Sequence, residues 1–177
     1  MNDDAGPPLI RPGVPADARA VLALLDGATR WLVEHGRTAQ WGSASASADP
    51  RRRRQADEWA AGDGLHLAIR DGRPVGALVV GAAPPHIPAA GEPELYVNLL
   101  VTDRAYAGLG IGARLLAHAE LIARERRLGL LRVDCYAGSE GALVRYYERQ
   151  GFTATQPFTV DLPDRRWPGQ LLERRLS

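Results

Sequence analysis

The sequence predicts a single α/β (α+β) domain built on a mixed β-sheet. Its 177 residues suit one domain of about 150 residues with a small N-terminal addition. Its apolar residues switch between helical spacing and strict alternation in the order β-α-α-β-β-β-α-β-α-β-β. A glycine-rich turn at residues 108–112 joins a long strand to a strongly amphipathic helix.

Residues 1–8 are polar and proline-containing and are expected to be flexible, with the domain over 9–177. Leu9-Ile10-Arg11 is a short strand. Ala16 to His35 is a helix, with Val21, Leu25, Ala28 and Leu32 at helical spacing, Leu22 and Leu24 widening the stripe, and Gly36 as its C-cap. Asp49-Pro50 is an N-cap followed by proline at the first helical position, opening a helix that runs to Ala61. The run Arg51–Arg54 is read as a solvated face, with Arg53–Asp57 and Arg54–Glu58 as ion pairs one turn apart.

Leu65–Ile69 and Val75–Val80 form a hairpin through Asp71-Gly72. A longer strand, Glu94–Val101, alternates so that Glu94, Tyr96 and Asn98 share one face and Leu95, Val97 and Leu99 the other. The helix after the glycine turn runs to about Arg126 and buries Ile111, Leu115, Ala119 and Ile122. Leu130–Cys135 is a strand, and Ser139 N-caps a last helix over Glu140–Gln150 that Gly151 closes. Phe152–Val160 and Leu171–Leu176 are the final strands.

Composition excludes several chemistries. All 22 basic residues are arginine, so a Schiff-base lysine and a phosphate loop with its Gly-Lys pair are ruled out. The single cysteine, Cys135, rules out an intrachain disulfide and a cysteine-cluster zinc site, and its apolar strand predicts a packed, inert thiol. A net charge of +1 argues against nucleic acid as a partner. No segment approaches the run of about 18 apolar residues that a membrane helix needs. The N-terminus lacks the charged-then-apolar order of a signal peptide, so the expected localisation is cytoplasmic with no membrane partner. His35, His66, His86 and His118 show no metal-ligand spacing, so no metal is expected.

Three glycines at a strand-to-helix junction leave backbone N–H groups bare, with the helix dipole behind them, which suits a pyrophosphate. Gly108-x-Gly110-x-x-Ala113 also matches the dinucleotide fingerprint, with Asp134 where a ribose-binding acid would fall. Against that, Thr102–Ala107 separate the turn from its strand, and only one helix follows Asp134.

The segment Val101-Thr102-Asp103-Arg104-Ala105-Tyr106-Ala107-Gly108-Leu109-Gly110-Ile111-Gly112, followed by Leu115-Leu116, resembles the acetyl-CoA signature of the GNAT acetyltransferases. Leu143–Phe152, with its Tyr-x-x-x-Gly-Phe end, resembles their closing helix, and Ile10-Arg11-Pro12 their opening. The resemblance implies a GNAT-type mixed, splayed sheet flanked by helices. It implies acetyl-CoA as acyl donor, with Leu100, Val101 and Thr102 pairing with the pantetheine amides. Ala107, Gly108, Leu109, Gly110, Ile111 and Gly112 would hold the pyrophosphate by their amides. The family usually places Arg or Gln where Ala107 stands, which removes a side-chain contact and leaves the backbone cradle. The implied reaction is direct transfer to an amine, small molecule or peptide, in a ternary complex; the alternative is a non-catalytic acyl-CoA-binding module. Either a monomer or a homodimer is compatible with this.

Tyr147 matches the family position whose hydroxyl approaches the thioester sulfur, and it is the expected general acid, with Tyr146 the expected core member. Glu94 is the expected base, on the strand that lines the acceptor side, and Asp103 is a second candidate. Trp31, Glu34, His35 and Trp41 cluster in sequence and are candidates for recognising an aromatic or cationic amine.

Overall fold

The computed structural model describes residues 6–177. The predicted flexible segment therefore lies outside the described residues except for Gly6–Pro8, where Pro8 is buried and its carbonyl accepts a hydrogen bond from Arg114 Nε at 3.1 Å. The elements are β1 (Leu9–Pro12), α1 (Ala18–Glu34), α2 (Pro50–Ala61), β2 (Leu65–Arg70), β3 (Arg73–Gly81), β4 (Leu95–Thr102), α3 (Ile111–Glu125), β5 (Leu130–Tyr136), α4 (Ala142–Arg149), β6 (Thr153–Asp161) and β7 (Arg166–Arg175). They form one seven-stranded sheet in the order β1-β2-β3-β4-β5-β7-β6. Every neighbouring pair is antiparallel except β4 and β5.

Helices cover both faces. The stripe predicted for α3 is buried throughout, and with Tyr147 and Phe152 it packs on Leu78, Val80, Leu95, Val97, Leu131, Val133 and Cys135. On the opposite face Val21, Leu24 and Leu25 of α1 and Ala56 and Ala60 of α2 pack on Leu67, Ala77, Val79, Leu99 and Val101. Asp49 caps α2 as predicted, accepting from Arg51 N at 2.9 Å. The predicted pairs Arg53–Asp57 and Arg54–Glu58 are not among the ion pairs of the described residues.

Two local departures matter for function. The alternation predicted along β4 breaks at Asn98: Val79 pairs with Leu99 and Val80 with Val97, so Asn98 is the extra residue of a bulge. Leu95 and Val97 therefore face α3, whereas Leu99 and Val101 face α1. The bulge is held by Asn98 Nδ2 donating to Ala82 O at 2.9 Å. Second, Ser139 does not cap α4. Ser139, Glu140 and Gly141 all have positive φ (53°, 60° and 74°), and the helix starts only at Ala142.

Gly64, directly before β2, lies against the backbone of β3 with no room for a side chain. A Cβ there would lie 2.1 Å from Val80 O, a backbone atom that cannot give way. Gly64→Ala is expected to lower the unfolding free energy by about 1–3 kcal/mol. Urea unfolding checks this; an unchanged midpoint would refute the close approach.

Candidate functional site

β4 and β5 pair over only three residues each, Leu95–Leu131, Tyr96–Arg132 and Val97–Val133. Beyond them β4 stays on β3 as far as Thr102–Gly76, and β5 stays on β7 as far as Tyr136–Gly169. The two strands therefore diverge after Val97 and Val133, and Leu100, Val101 and Thr102 lie on the β4 side of the gap. Along such an edge, alternate residues present their N–H and C=O groups for pairing with an extended ligand.

The glycine turn stands at the end of β4. A short turn at Arg104–Tyr106 fills the extra length, and Asp103 caps it by accepting from Ala105 N at 2.9 Å. That contact occupies one oxygen of Asp103, the second candidate base, and no hydrogen bond among the described residues reaches the other. Gly108 and Gly110 adopt φ of 83° and 71°, which glycine alone reaches without strain. The first intrahelical bond of α3 is Arg114 N to Gly110 O at 3.0 Å, so the amides of Ile111, Gly112 and Ala113 have no helical acceptor. Ala107, Gly108, Leu109 and Gly110 are exposed beside them. The amides of Ala107 and Leu109 already donate to Arg104 O (3.2 Å) and Tyr106 O (3.3 Å), a correction to the predicted set, so the free donors are those of Gly108, Gly110, Ile111, Gly112 and Ala113. They form a cradle at the positive end of a 15-residue helix, suited to a pyrophosphate.

Gly112 has a further reason to be glycine. A Cβ there would stand 2.3 Å from the Tyr146 hydroxyl. Tyr146 is thus pinned against the first turn of α3, half-buried, while Tyr147 is the buried core member at 7% exposure, the reverse of the expectation. Tyr147 packs edge-on between Tyr146 (5.3 Å) and Phe152 (5.7 Å). Burial pushes its hydroxyl pKa well above the ordinary range, so the group stays protonated and able to donate. Burial likewise pushes the Cys135 thiol up to about 12, in keeping with the predicted inert thiol.

Glu94 is placed differently from the prediction. Both of its oxygens accept from Arg132, one from Nε and one from Nη2 at 2.8 Å, and Arg132 Nη2 also donates to Pro88 O at 2.9 Å. The Arg132 side chain is 5% exposed and that of Glu94 14%. A carboxylate held at both oxygens by a buried guanidinium is committed as an ion-pair partner. The pair ties the loop before β4 to β5 at the closed end of the gap.

One carboxylate at the gap was not among the predicted catalytic residues. Asp134 Oδ1 accepts from the Tyr96 hydroxyl at 2.5 Å. Asp134 is the residue directly after the last β4–β5 pair, and in sequence it stands out only as a ribose-binding candidate. Recognising its position needs the strand register.

The predicted aromatic cluster divides. Trp31 is stacked by His35 at 4.1 Å and by the Arg104 guanidinium at 3.6 Å, whereas Trp41 packs into the α1–α2 core. Glu34 is exposed. His118 is half-buried, its Nε2 3.2 Å from His66 Nδ1. No group of three or more His, Cys, Asp or Glu that could hold a metal ion occurs among the described residues.

The model of the Acetyltransferase (GNAT) family matches residues 25–152. The chain belongs to this family. Among curated proteins it is 38% identical over 61 residues to the uncharacterized N-acetyltransferase YesJ of Bacillus subtilis, a match covering 34% of this chain and 33% of that protein. Among solved structures it resembles the ribosomal-protein-alanine N-acetyltransferase of Brucella melitensis, with 26% identity, a TM-score of 0.69 and coverage of 95% and 99% of the two chains. It also shares its fold with yncA of Salmonella typhimurium, a putative acetyltransferase solved with its cofactor acetyl-CoA. That likeness has 18% identity, a TM-score of 0.65 and coverage of 97% and 95%. The mixed sheet flanked by helices is the architecture of this family, and the dinucleotide reading of the glycine turn is set aside.

Removing one member of the buried ion pair separates structure from catalysis at this site. Arg132→Met would leave Glu94 partly buried and uncompensated, at an expected cost of about 3–5 kcal/mol. Adding Glu94→Gln should recover part of that loss. Denaturant midpoints of the three proteins check this; a destabilisation of Arg132→Met that Glu94→Gln leaves unrelieved would count against the pair.

Proposed function

We propose that this chain is an acetyl-CoA-dependent N-acetyltransferase that transfers the acetyl group directly to an amine in a ternary complex. The observation that carries the reading is the early divergence of β4 and β5 beside the bare amides at the start of α3. Acetyl-CoA supplies an activated thioester. Backbone groups of Leu100, Val101 and Thr102 would pair with its pantetheine arm, and the free amides of Gly108, Gly110, Ile111 and Gly112 would hold its pyrophosphate, while those of Ala107 and Leu109 donate to Arg104 O and Tyr106 O. The cradle fits that group. The first α3 amides are uncommitted, and no heavy atom lies within 4 Å of where a Cβ would stand on Gly108 or Gly110, so the approach of an anion is unobstructed there.

The chain's own residues then have two tasks. Tyr147 donates its hydroxyl to the departing sulfur, and because burial disfavours a lasting tyrosinate the amine's second proton has to return to it. The amine needs to lose one proton before it attacks and a second as the amide forms. The second proton balances the one Tyr147 gives up, so the net products are the amide, a free thiol and one released proton. No covalent enzyme intermediate is required, which agrees with the high pKa of Cys135.

Acetyl-CoA is expected to raise the melting temperature, by the equivalent of about 2.7 kcal/mol at a concentration of 100 Kd, and NADH is not. Ala107 is exposed, so Ala107→Arg places a guanidinium at the cradle without disturbing packing. It should tighten acetyl-CoA by about 2–10-fold, the worth of one added hydrogen bond. Thermal melts check the first and isothermal titration the second; stabilisation by NADH alone would overturn the donor assignment.

Tyr147→Phe keeps the ring and deletes the hydroxyl. It should lower kcat and kcat/KM together by about 10²-fold, the low end for general-acid help, and leave acetyl-CoA affinity unchanged. Thiol release measured across a panel of primary amines is the readout. Full activity in Tyr147→Phe would reduce Tyr147 to a packing residue. Acetyl-CoA binding by the wild type with no thiol release for any amine would favour the acyl-CoA-binding alternative. Tyr146→Phe is not a silent control, because the Tyr146 hydroxyl rests on Gly112.

A further inference from the structure

Asp134 is the first residue of β5 beyond its last pair with β4, and its register partner on β7 is Leu171. Leu171 clusters with Tyr96 and Ile87, whereas Cys135 joins the opposite cluster with Tyr147. Asp134 and Tyr147 therefore approach the same gap from opposite faces of the sheet. The Tyr96 hydroxyl fixes Asp134 Oδ1, and no other hydrogen bond among the described residues reaches the carboxylate. No buried side-chain oxygen among them lacks a partner, so Oδ2 is accessible from outside.

The surroundings are aromatic. Tyr136 lies two residues along β5, 5.7 Å from Trp167 of β7, and Trp167 lies 6.2 Å from Phe158 of β6. Trp167 Nε1 donates to Gln40 O, and Arg165 Nε to Ala39 O, which folds the α1–α2 loop over this side. The guanidinium of Arg132, two residues before Asp134, is already spent on Glu94. A half-buried carboxylate without a cationic partner, on the side of the sheet that carries these rings, attracts a positive charge by its own charge, and the neighbouring aromatic surface suits an apolar group attached to that charge.

We infer that Asp134 and the aromatic wall of Tyr136, Trp167 and Phe158 form the acceptor's ammonium subsite, selecting primary amines that arrive protonated beside an apolar or aromatic group. Asp134 holds the ammonium by charge-assisted hydrogen bonds and takes its first proton, which then passes to solvent. This deepens the acetyltransferase reading and rests on it, and it gives the base role to Asp134 in place of Glu94.

The test uses the full chain without acyl donor, so that nothing reacts. Benzylammonium, butylammonium and the uncharged benzyl alcohol are titrated into wild type and Asp134→Asn. Asparagine keeps the shape and can still accept from Tyr96. Benzylammonium is expected to bind wild type at least tenfold more tightly than it binds Asp134→Asn, and at least tenfold more tightly than benzyl alcohol binds wild type. Butylammonium should follow the same order more weakly. Equal benzylammonium affinity in the two proteins, or no binding to wild type at millimolar concentration, overturns the subsite. Should Asp134→Asn fail to fold, wild type alone decides, and equal affinity for benzylammonium and benzyl alcohol overturns it. Acetyl-CoA affinity is measured in parallel. If acetyl-CoA does not bind while benzylammonium binding depends on Asp134, the donor reading fails and the cation subsite stands.

Discussion

The proposed function rests on two parallel strands that stop pairing. β4 and β5 share three residue pairs and then separate, each still fixed to its outer neighbour. The bulge at Asn98 falls where the pairing ends, and an extra residue on one strand bends it and increases its twist. The separation leaves an unpaired length of backbone inside the sheet instead of at its rim. Such an edge would be a liability on the outside of a protein. Here both faces of the gap are covered by helices and loops, so the edge is available to a slender ligand and shielded from another strand.

The charges around the gap are divided by task. At its closed end Arg132 and Glu94 satisfy one another, and their net effect is to fasten the loop before β4 onto β5. At its open end the uncommitted groups are the α3 amides, which favour negative charge, and Asp134, which favours positive charge. These lie on different elements, so the proposed phosphate-bearing donor and ammonium acceptor would be drawn to different parts of one opening. Tyr147 is held neutral by burial and does not compete with either.

Much of this is legible in the sequence because it depends on local signals. The α3 stripe, the Asp49-Pro50 start of α2 and the Asp71-Gly72 hairpin each follow from residues within one turn or one strand. The glycine turn is legible because positive φ at Gly108 and Gly110 is a backbone requirement written directly into residue type. Long-range register is what stays hidden. Nothing near Asn98 announces a bulge, so simple alternation puts Leu99 on the wrong face. Glu94 reads as a free carboxylate because its partner, Arg132, lies 38 residues away. Asp134 reads as a ribose ligand, since only the point of strand divergence reveals what it faces. Tyr147 proves more deeply buried than Tyr146, because adjacent helix positions are distinguished only by the packing direction of α4.

The contact between the Tyr146 hydroxyl and the bare Cα of Gly112 joins two segments well separated along the chain. In evolutionary terms the two positions form one inherited unit. Any side chain at 112 requires the Tyr146 hydroxyl to move, and a tyrosine lying this close leaves room at 112 for glycine alone. What one position can accept is therefore tied to what the other position does with its side chain.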